Sequence, residues 1–310
     1  MAPSSPPVTD PAKRAARVVA LSLMRDVTAA RDRLDDPADA EALHDFRVAL
    51  RRLRTWLRAF RPVLRDTLRG KTVRRLARVA DATGASRDLE VHIDWVNSAR
   101  RQLKGEERKG ATWLIKRLRD EKATCDAELR RVLDDAFDKT LRRVEKALSR
   151  YEARVEGELS YAEVAGEIVE RHLQSLASAM EAVSGLGDRA QAHAARIATK
   201  RLRYILEIVA PVDSDQARAI VTLKELQDRL GELHDAQTFG SQLASLIAER
   251  AAEKVSAAKE EPNTGSHAKP GVDPVPGLEA LLRKLRDREK ESFRLMVPVW
   301  QAAANGLGID

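Results

Sequence analysis

Residues 43–65, LHDFRVALRRLRTWLRAFRPVLR, carry leucine at every seventh position. The a and d positions of this heptad are Leu43, Phe46, Leu50, Leu53, Leu57, Phe60 and Leu64. The pattern predicts a helix with a narrow apolar seam that packs against partner helices. No segment of useful length alternates apolar and polar residues as a half-buried strand would. The sequence therefore predicts an all-α fold.

One flank of this helix is basic. The b and e positions of the heptad are His44, Arg47, Arg51, Arg54, Arg58, Arg61 and Arg65. They fall in one arc beside the apolar seam, which we call the basic strip. Residues 44–78 contain twelve Arg and Lys against two acids, whereas the whole chain has a net charge of only +7. Because like charges on a helix face repel, this pattern predicts an anionic partner, although a basic face kept only for solubility is the simpler alternative.

Composition sets limits on class and compartment. With 310 residues the chain can form one large or two medium domains with ample core. The single cysteine, Cys125, excludes an intrachain disulfide framework and suits a reducing cytoplasm. The start, MAPSSPPVTDP, lacks the pattern of a secretory signal, and no apolar run approaches the ~20 residues that span a bilayer. We therefore expect a soluble cytoplasmic protein that does not enter a membrane.

Prolines and glycines divide the chain into helical segments. The predicted helices cover 12–35, 41–66, 69–83, a segment from 88, one or two long helices within 106–156, then 160–183, 189–210, 214–230, 234–259 and 277–303. These helices form two predicted bundles, 12–156 and 157–304. Residues 1–11 are expected to be disordered, and residues 260–276 to form a flexible loop within the second bundle, because both segments are rich in proline.

The basic strip occurs twice. HDFRVALRRLR at 44–54 recurs as HAARIATKRLR at 193–203, and the His, Arg and Lys positions persist with one Arg-to-Lys exchange. Downstream, LARVADATGASRD at 76–88 matches LKELQDRLGELHD at 223–235. Apolar core positions differ between the copies while the cations persist, which packing alone does not explain. The repeat predicts two homologous helical units, each with four amphipathic helices that close a bundle.

The duplicated spacing, His with Arg at +3, Arg or Lys at +7, Arg at +8 and Arg at +10, is similar to the CHAD family (conserved histidine α-helical domain). The stretches SRDLEV, KRLRYILE and LKELQDRLGELHDA resemble it as well, over about residues 14–303. The resemblance implies two pseudo-symmetric four-helix bundles with a basic groove or pore between them that binds inorganic polyphosphate, on polyphosphate granules in the bacterial cytoplasm. Glu207 and Ala210 stand at the positions of Arg58 and Arg61, so we expect a groove that is asymmetric in charge.

Arginine suits a polyphosphate chain because its planar guanidinium group donates two parallel hydrogen bonds to phosphate oxygens. The predicted polyphosphate-binding residues are His44, Arg47, Arg51, Arg52, Arg54, Arg58, Arg74, Arg78, His193, Arg196, Lys200, Arg201, Arg203 and Lys224. The residues predicted to line the walls or mouth of the groove, rather than to face each other across it, are Arg52, Arg74, Arg78, Arg201 and Lys224. His44 and His193 are interpreted either as phosphate donors or as packed side chains that orient a neighbour.

The sequence predicts no catalytic residue, metal ligand or cofactor, and thus a protein that is not an enzyme. The dipeptides His44-Asp45 and His234-Asp235 suggest an alternative, the metal-dependent HD phosphohydrolases, in which adjacent His and Asp ligate a divalent metal. However, the two dipeptides occupy non-equivalent positions of the repeat. A cluster of metal ligands among arginines would also be electrostatically unfavourable.

Non-specific binding of nucleic acid is the main alternative, because its phosphates would suit the same cations. The strips lack Asn or Gln at positions that could read bases, and Trp56 and Phe60 lie toward the apolar seam rather than on a stacking surface. A scaffold that recruits granule-associated proteins is a third hypothesis, and it is compatible with polyphosphate binding.

Overall fold

All regular secondary structure is helical in the computed structural model, which describes residues 9–36, 38–39, 41–68, 70–150, 159–209, 214–259 and 272–309. The helices in these residues are α1 Ala12–Arg33, α2 Ala42–Ala59, α3 Arg61–Leu64, α4 Gly70–Arg100, α5 Gly105–Val132, α6 Asp138–Ser149, α7 Tyr161–Glu181, α8 Arg189–Val209, α9 Ser214–Lys259 and α10 Val275–Leu307. A π-helical turn, Leu133–Phe137, joins α5 to α6. The all-α prediction is confirmed, and the pseudo-symmetry of the two halves stays a prediction.

Most of the N-terminal segment predicted to be disordered, residues 1–8, lies outside the described residues. The same holds for residues 260–271 of the predicted flexible loop. Where those predicted segments are described, Pro11 forms an isolated β-bridge with Ser160. Among the helices of the described part, none combines the length and apolar character that a membrane span requires.

The heptad seam of α2 is buried as predicted. Phe46, Leu50 and Leu53 are fully buried, and they pack in a core shared with α1. Trp56 joins them, and its Nε1 donates a hydrogen bond of 2.8 Å to the carbonyl oxygen of Ala16 in α1. Each fully buried leucine or phenylalanine contributes about 1.5–3 kcal/mol to the stability of the fold. The seam therefore fixes the rotation of α2 about its own axis.

Three predicted helix boundaries are wrong. The predicted helix 41–66 is broken at Phe60, because Pro62 lacks an amide donor and its ring crowds the preceding turn. In contrast, Gly84 and Gly231 do not end helices: α4 and α9 run through them without interruption. Neither glycine adopts the left-handed φ that terminates a helix, and the cost of about 1 kcal/mol for a helical glycine is offset by packing.

The chain forms two compact units. Unit 1 comprises 1–87, 125–228 and 298–310, and unit 2 comprises 88–124 and 229–297. Each unit takes segments from both halves of the sequence. The division into consecutive bundles, 12–156 and 157–304, concerns the sequence repeat and stays a prediction.

Unit 1 brings the two copies of the basic strip together. Within it α1 packs against α2, α6 and α7, and α7 packs against α8. Helix α2, with the first copy of the strip, also packs directly against α8, with the second copy. Phe46 of α2 meets Phe137 edge to face with ring centroids 5.3 Å apart, which extends the core toward α6.

Unit 2 has its own core and one very close helix contact. His92 of α4 stacks on Phe239 of α9 with ring centroids 4.0 Å apart. At the start of α10, Gly277 lies so close to α5 that a Cβ atom there would be 2.5 Å from the carbonyl oxygen of Glu107 and 2.7 Å from the carbonyl carbon of Gly110. Only glycine permits this approach of the two backbones.

We expect Gly277→Ala to destabilise the protein by about 2–3 kcal/mol, because the added methyl group meets backbone atoms that cannot rotate away. Thermal unfolding should show a midpoint about 5 °C or more lower. Gly306→Ala in the same helix is the control, since nothing lies within 4 Å of a Cβ at that position. Equal midpoints for the two variants would show that the close contact is not a constraint.

Candidate functional site

A basic cleft opens where α2 packs against α8, with α7 beside it. Helix α2 contributes Arg51, Arg54, Thr55, Arg58 and Ala59, α8 contributes Arg196, Ile197, Lys200, Arg201 and Tyr204, and α7 contributes His172. Its volume is about 270 Å³. The cleft follows from the heptad, because the b and e flanks lie next to the seam, and packing of the seams brings the flanks of both helices together. We call this feature the basic cleft.

The basic cleft concentrates positive charge. Six Arg and Lys side chains line it, and no carboxylate is among its lining residues in the described part of the chain. Burial lowers the pKa of Arg54; the charge of Asp81 opposes that shift, and the charges of Arg58 and Arg51 add to it. Burial and the neighbouring Arg58 likewise lower the pKa of Arg201. The guanidinium groups therefore repel one another in a partly desolvated space, which a bound anion would relieve.

His172 enters the cleft from α7 and was not among the residues predicted from the sequence. Burial is the main cause that lowers the pKa of His172, and the charges of Arg201 and Arg171 lower it further. Nothing in the sequence pointed to this residue, since it lies outside both copies of the strip. Thr55 and Tyr204 also line the cleft and were not predicted, although their spacing could have identified them. Thr55 lies four residues after Arg51, and Tyr204 lies four residues after Lys200, so each shares a helix face with a cation of the strip.

Three predicted site residues bind other parts of the protein. The guanidinium group of Arg47 donates hydrogen bonds to the carbonyl oxygens of Thr83 and Gly84 in α4, at 2.8 Å for Gly84. Arg52 pairs with Glu207 at 2.7 Å. Arg203 pairs with the same carboxylate and donates to the side-chain oxygen of Gln227 at 3.1 Å.

Glu207 therefore holds one cation from each copy of the strip. In the sequence repeat Glu207 occupies the position that Arg58 has in the first copy, so a carboxylate stands where a cation is expected. The structure shows what this departure does locally: Arg52 and Arg203 neutralise the carboxylate beside the cleft instead of lining it.

The remaining predicted residues lie away from the basic cleft. His44 and His193 are exposed and do not line it, and partial burial together with the charges of Arg196 and Lys200 lowers the pKa of His193. Lys224 pairs with Asp228 at 2.9 Å on the surface of α9. Arg74 is exposed on α4. Arg78 faces a different cavity, between α4, α5 and α6.

The metal-ligand interpretation finds no support at His44-Asp45. The carboxylate of Asp45 accepts a hydrogen bond of 2.5 Å from Arg33, and His44 points to solvent. Among the residues that the structure describes, no three His, Cys, Asp or Glu side chains are grouped so that they could hold a metal ion.

Comparisons with known proteins agree with this architecture. Residues 19–244 match the family model of the CHAD domain. The crystal structure of the CHAD domain from the plant Ricinus communis is similar, with 19% identity, a TM-score of 0.65 and coverage of 99% of this chain and 96% of that chain. PptA from Streptomyces chartreusis is similar with 15% identity, a TM-score of 0.70 and coverage of 94% and 100%. No curated protein matches the sequence.

Proposed function

The chain belongs to the CHAD domain family, and we propose that it binds inorganic polyphosphate in the basic cleft without catalysing a reaction. The observation that carries this proposal is the meeting of the two copies of one cationic motif. Arg51, Arg54 and Arg58 from the first copy share a cleft with Arg196, Lys200 and Arg201 from the second, and no carboxylate lines it in the described residues.

Polyphosphate fits this arrangement chemically. It is a flexible chain with about one negative charge per phosphate and no other recognition group, so cations in a row are what it requires. Guanidinium groups on both walls can each donate two hydrogen bonds to the oxygens of one phosphate. The hydroxyl group of the half-buried Thr55 lies among these cations and adds a neutral donor. The affinity arises mainly from released counterions and from relief of the repulsion between Arg58 and Arg201.

Nucleic acid is the rival ligand, and the aromatic residues argue against it. Proteins that bind single strands stack bases on exposed aromatic rings. Trp56 and Phe60 are fully buried in the core, and Tyr204, the aromatic residue that lines the cleft, is only 1% exposed. Among the described residues the cleft therefore presents phosphate donors without an exposed Trp, Tyr or Phe ring on which bases could stack.

Competition between the two ligands tests the proposal. Long-chain polyphosphate should displace labelled duplex DNA from the protein at moderate salt, and DNA added in equal phosphate concentration should not displace labelled polyphosphate. Equal or inverse preference would favour the nucleic-acid function instead.

In a cell this activity would place the protein on polyphosphate granules in the cytoplasm, where it could also recruit granule-associated proteins. A fluorescent fusion should colocalise with granules, and a fusion with a cleft variant should be diffuse. Colocalisation that survives loss of polyphosphate binding in vitro would instead assign granule targeting to another surface.

Glu207→Gln should strengthen polyphosphate binding roughly five-fold at 0.1 M salt, because it removes one negative charge beside the cleft and releases Arg52 and Arg203. The amide retains the size of the carboxylate, and its single oxygen can still accept a hydrogen bond from either Arg52 or Arg203. A calorimetric titration measures the change. Glu225→Gln, on the exposed surface of α9, makes the same change in net charge away from the cleft and should have little effect. Weaker binding by Glu207→Gln would show that the carboxylate positions the cleft rather than opposing the ligand.

Polyphosphate binding should strengthen as the pH falls. Burial and the charges of Arg201 and Arg171 hold the pKa of His172 below its ordinary 6.5, so the free imidazole is neutral at about pH 7.5. A bound polyanion favours the imidazolium and raises that pKa, so binding takes up a proton. The affinity should rise from about pH 7.5 downward and level off below the pKa of the free protein.

His172→Gln isolates this contribution. The terminal phosphates of the ligand titrate equally with both proteins, so the ratio of wild-type to variant affinity is the quantity to follow. We expect this ratio to grow as the pH falls. A ratio that stays constant across the range would exclude His172 as a titrating contact.

A further inference from the structure

A second basic cavity in unit 1 shares no lining residue with the basic cleft. It lies between α4, α5 and α6 and has a volume of about 510 Å³. Its polar lining includes Arg75, Arg78, Arg131, Lys139, Thr140 and Arg143. We call it the α4–α6 cavity.

The positive charge of the α4–α6 cavity is almost uncompensated. Glu128 is the carboxylate at its wall, and it lies 3.6 Å from Arg131 with both side chains mostly exposed. Within the described part of the chain the other four cations, Arg75, Arg78, Lys139 and Arg143, have no ion-pair partner. Five cations against one carboxylate leave the lining of the cavity strongly positive.

Thr140 gives independent support for a ligand. Its side chain is 1% exposed, and its Oγ1 has no hydrogen-bond partner among the described residues. Helical threonines commonly donate to the carbonyl oxygen four residues earlier. For Thr140 that carbonyl belongs to residue 136, inside the π-helical turn Leu133–Phe137, where the regular pattern is interrupted. A buried hydroxyl without a partner costs about 1–3 kcal/mol, and such a group in a cavity wall is a donor available for a ligand.

The sequence repeat does not account for this cavity. Arg78 corresponds to Glu225 in the second copy, so the charge is present in one half only. The cavity is therefore separate from the duplicated cationic motif.

We propose that the α4–α6 cavity is a second phosphate-binding site. Thr140 Oγ1 donates a hydrogen bond to a phosphate oxygen, and Arg75, Arg78, Lys139 and Arg143 neutralise the charge of the ligand. The phosphate groups come either from a free short oligophosphate or from a distal segment of a long chain. The site is independent of the basic cleft, so either site can fail its test without the other.

Thr140→Val provides the first test. Without ligand its thermal midpoint should equal or exceed that of the wild type, because the variant removes an unpartnered buried hydroxyl and keeps its shape. With a cleft variant as the common background, the affinity for tripolyphosphate should fall about five-fold, the contribution of one hydrogen bond. A lower midpoint without ligand, or an unchanged affinity, would show that the hydroxyl serves the fold and not a ligand.

The second test removes cations from the α4–α6 cavity. Its background is the whole chain with Arg58→Glu and Arg201→Glu, which prevent binding in the basic cleft. In calorimetry this background should still bind phosphate, and adding Arg75→Gln and Lys139→Gln should lower the affinity roughly twenty-fold at 0.1 M salt. Binding of tripolyphosphate would identify a free oligophosphate as the ligand, and binding of long chains alone would identify a distal segment. If the background binds neither ligand, or binds equally well after both cavity cations are removed, the second site is excluded while the cleft proposal stands.

Discussion

Replacement of both Arg58 and Arg201 by glutamate should abolish polyphosphate binding in the basic cleft without destabilising the fold. The two residues lie on opposite walls of the basic cleft, and the charge of Arg58 lowers the pKa of Arg201. The double variant changes the charge that faces the ligand by four units, which corresponds to a loss of roughly 500-fold at 0.1 M salt. Because the change also removes a repulsion between like charges, the thermal midpoint without ligand should be unchanged or higher.

The matched control makes the same charge change elsewhere. Arg108 and Arg119 are exposed on α5 and are not among the residues that line the basic cleft. The variant Arg108→Glu with Arg119→Glu has the same net charge as the cleft variant. It should lose only a small part of the affinity. Equal losses in the two variants would mean that polyphosphate responds to net charge alone and that the cleft has no special role.

Salt should weaken polyphosphate binding very steeply. If all six cations of the basic cleft neutralise phosphates, the logarithm of the association constant should fall with the logarithm of salt concentration with a slope of about −4. Between 50 and 200 mM salt the affinity should then decrease about 300-fold. Titrations at four or more salt concentrations give the slope directly.

Neutralising two of the six cations should make that slope shallower by a known amount. For Arg58→Gln combined with Arg201→Gln we expect a slope of about −3, because each lost phosphate contact removes about 0.7. A wild-type slope near −1 would indicate that only one or two cations touch the ligand. In that case the row of cations along the cleft would not be the binding element.

The resemblance to the CHAD family implied that the two strips meet in a groove, and the heptad indicated which flank of α2 faces it. The apolar residues Phe46, Leu50 and Leu53 must be buried, and burial of this seam fixes where Arg51 and Arg54 point. The repeat then indicates that the second copy has the same geometry. Periodicity was therefore sufficient for the fold class, and the six cations that line the cleft are among the fourteen residues predicted from the repeat.

The partners of the remaining cations could not be predicted, because they depend on how distant segments pack. Arg47 belongs to the same strip, but α4 continues through Gly84 and its carbonyl oxygens accept hydrogen bonds from Arg47. Arg52 and Arg203 bind one carboxylate, Glu207, which the sequence identified only as a missing cation. A linear pattern shows which face a residue occupies, but not what occupies the opposite face.

Site residues on helices outside the repeated motif could not be predicted from the sequence either. His172 lines the cleft because α7 packs against α8, and no spacing in the chain relates it to the strip. The α4–α6 cavity is lined by residues on both sides of the π-helical turn Leu133–Phe137, and nothing in the sequence indicates that this turn interrupts the helix. Such sites arise from tertiary packing and become visible only in the folded protein.

Arginine-selective labelling of the intact protein tests the location of the ligand most directly. Phenylglyoxal modifies accessible guanidinium groups, and peptide mass spectrometry reports the rate at each residue. With saturating polyphosphate we expect Arg51, Arg58 and Arg201 to be protected, while the exposed Arg119 of α5 reacts as fast as before. Unchanged rates at the three cleft arginines, or equal protection of Arg119, would contradict binding in the basic cleft.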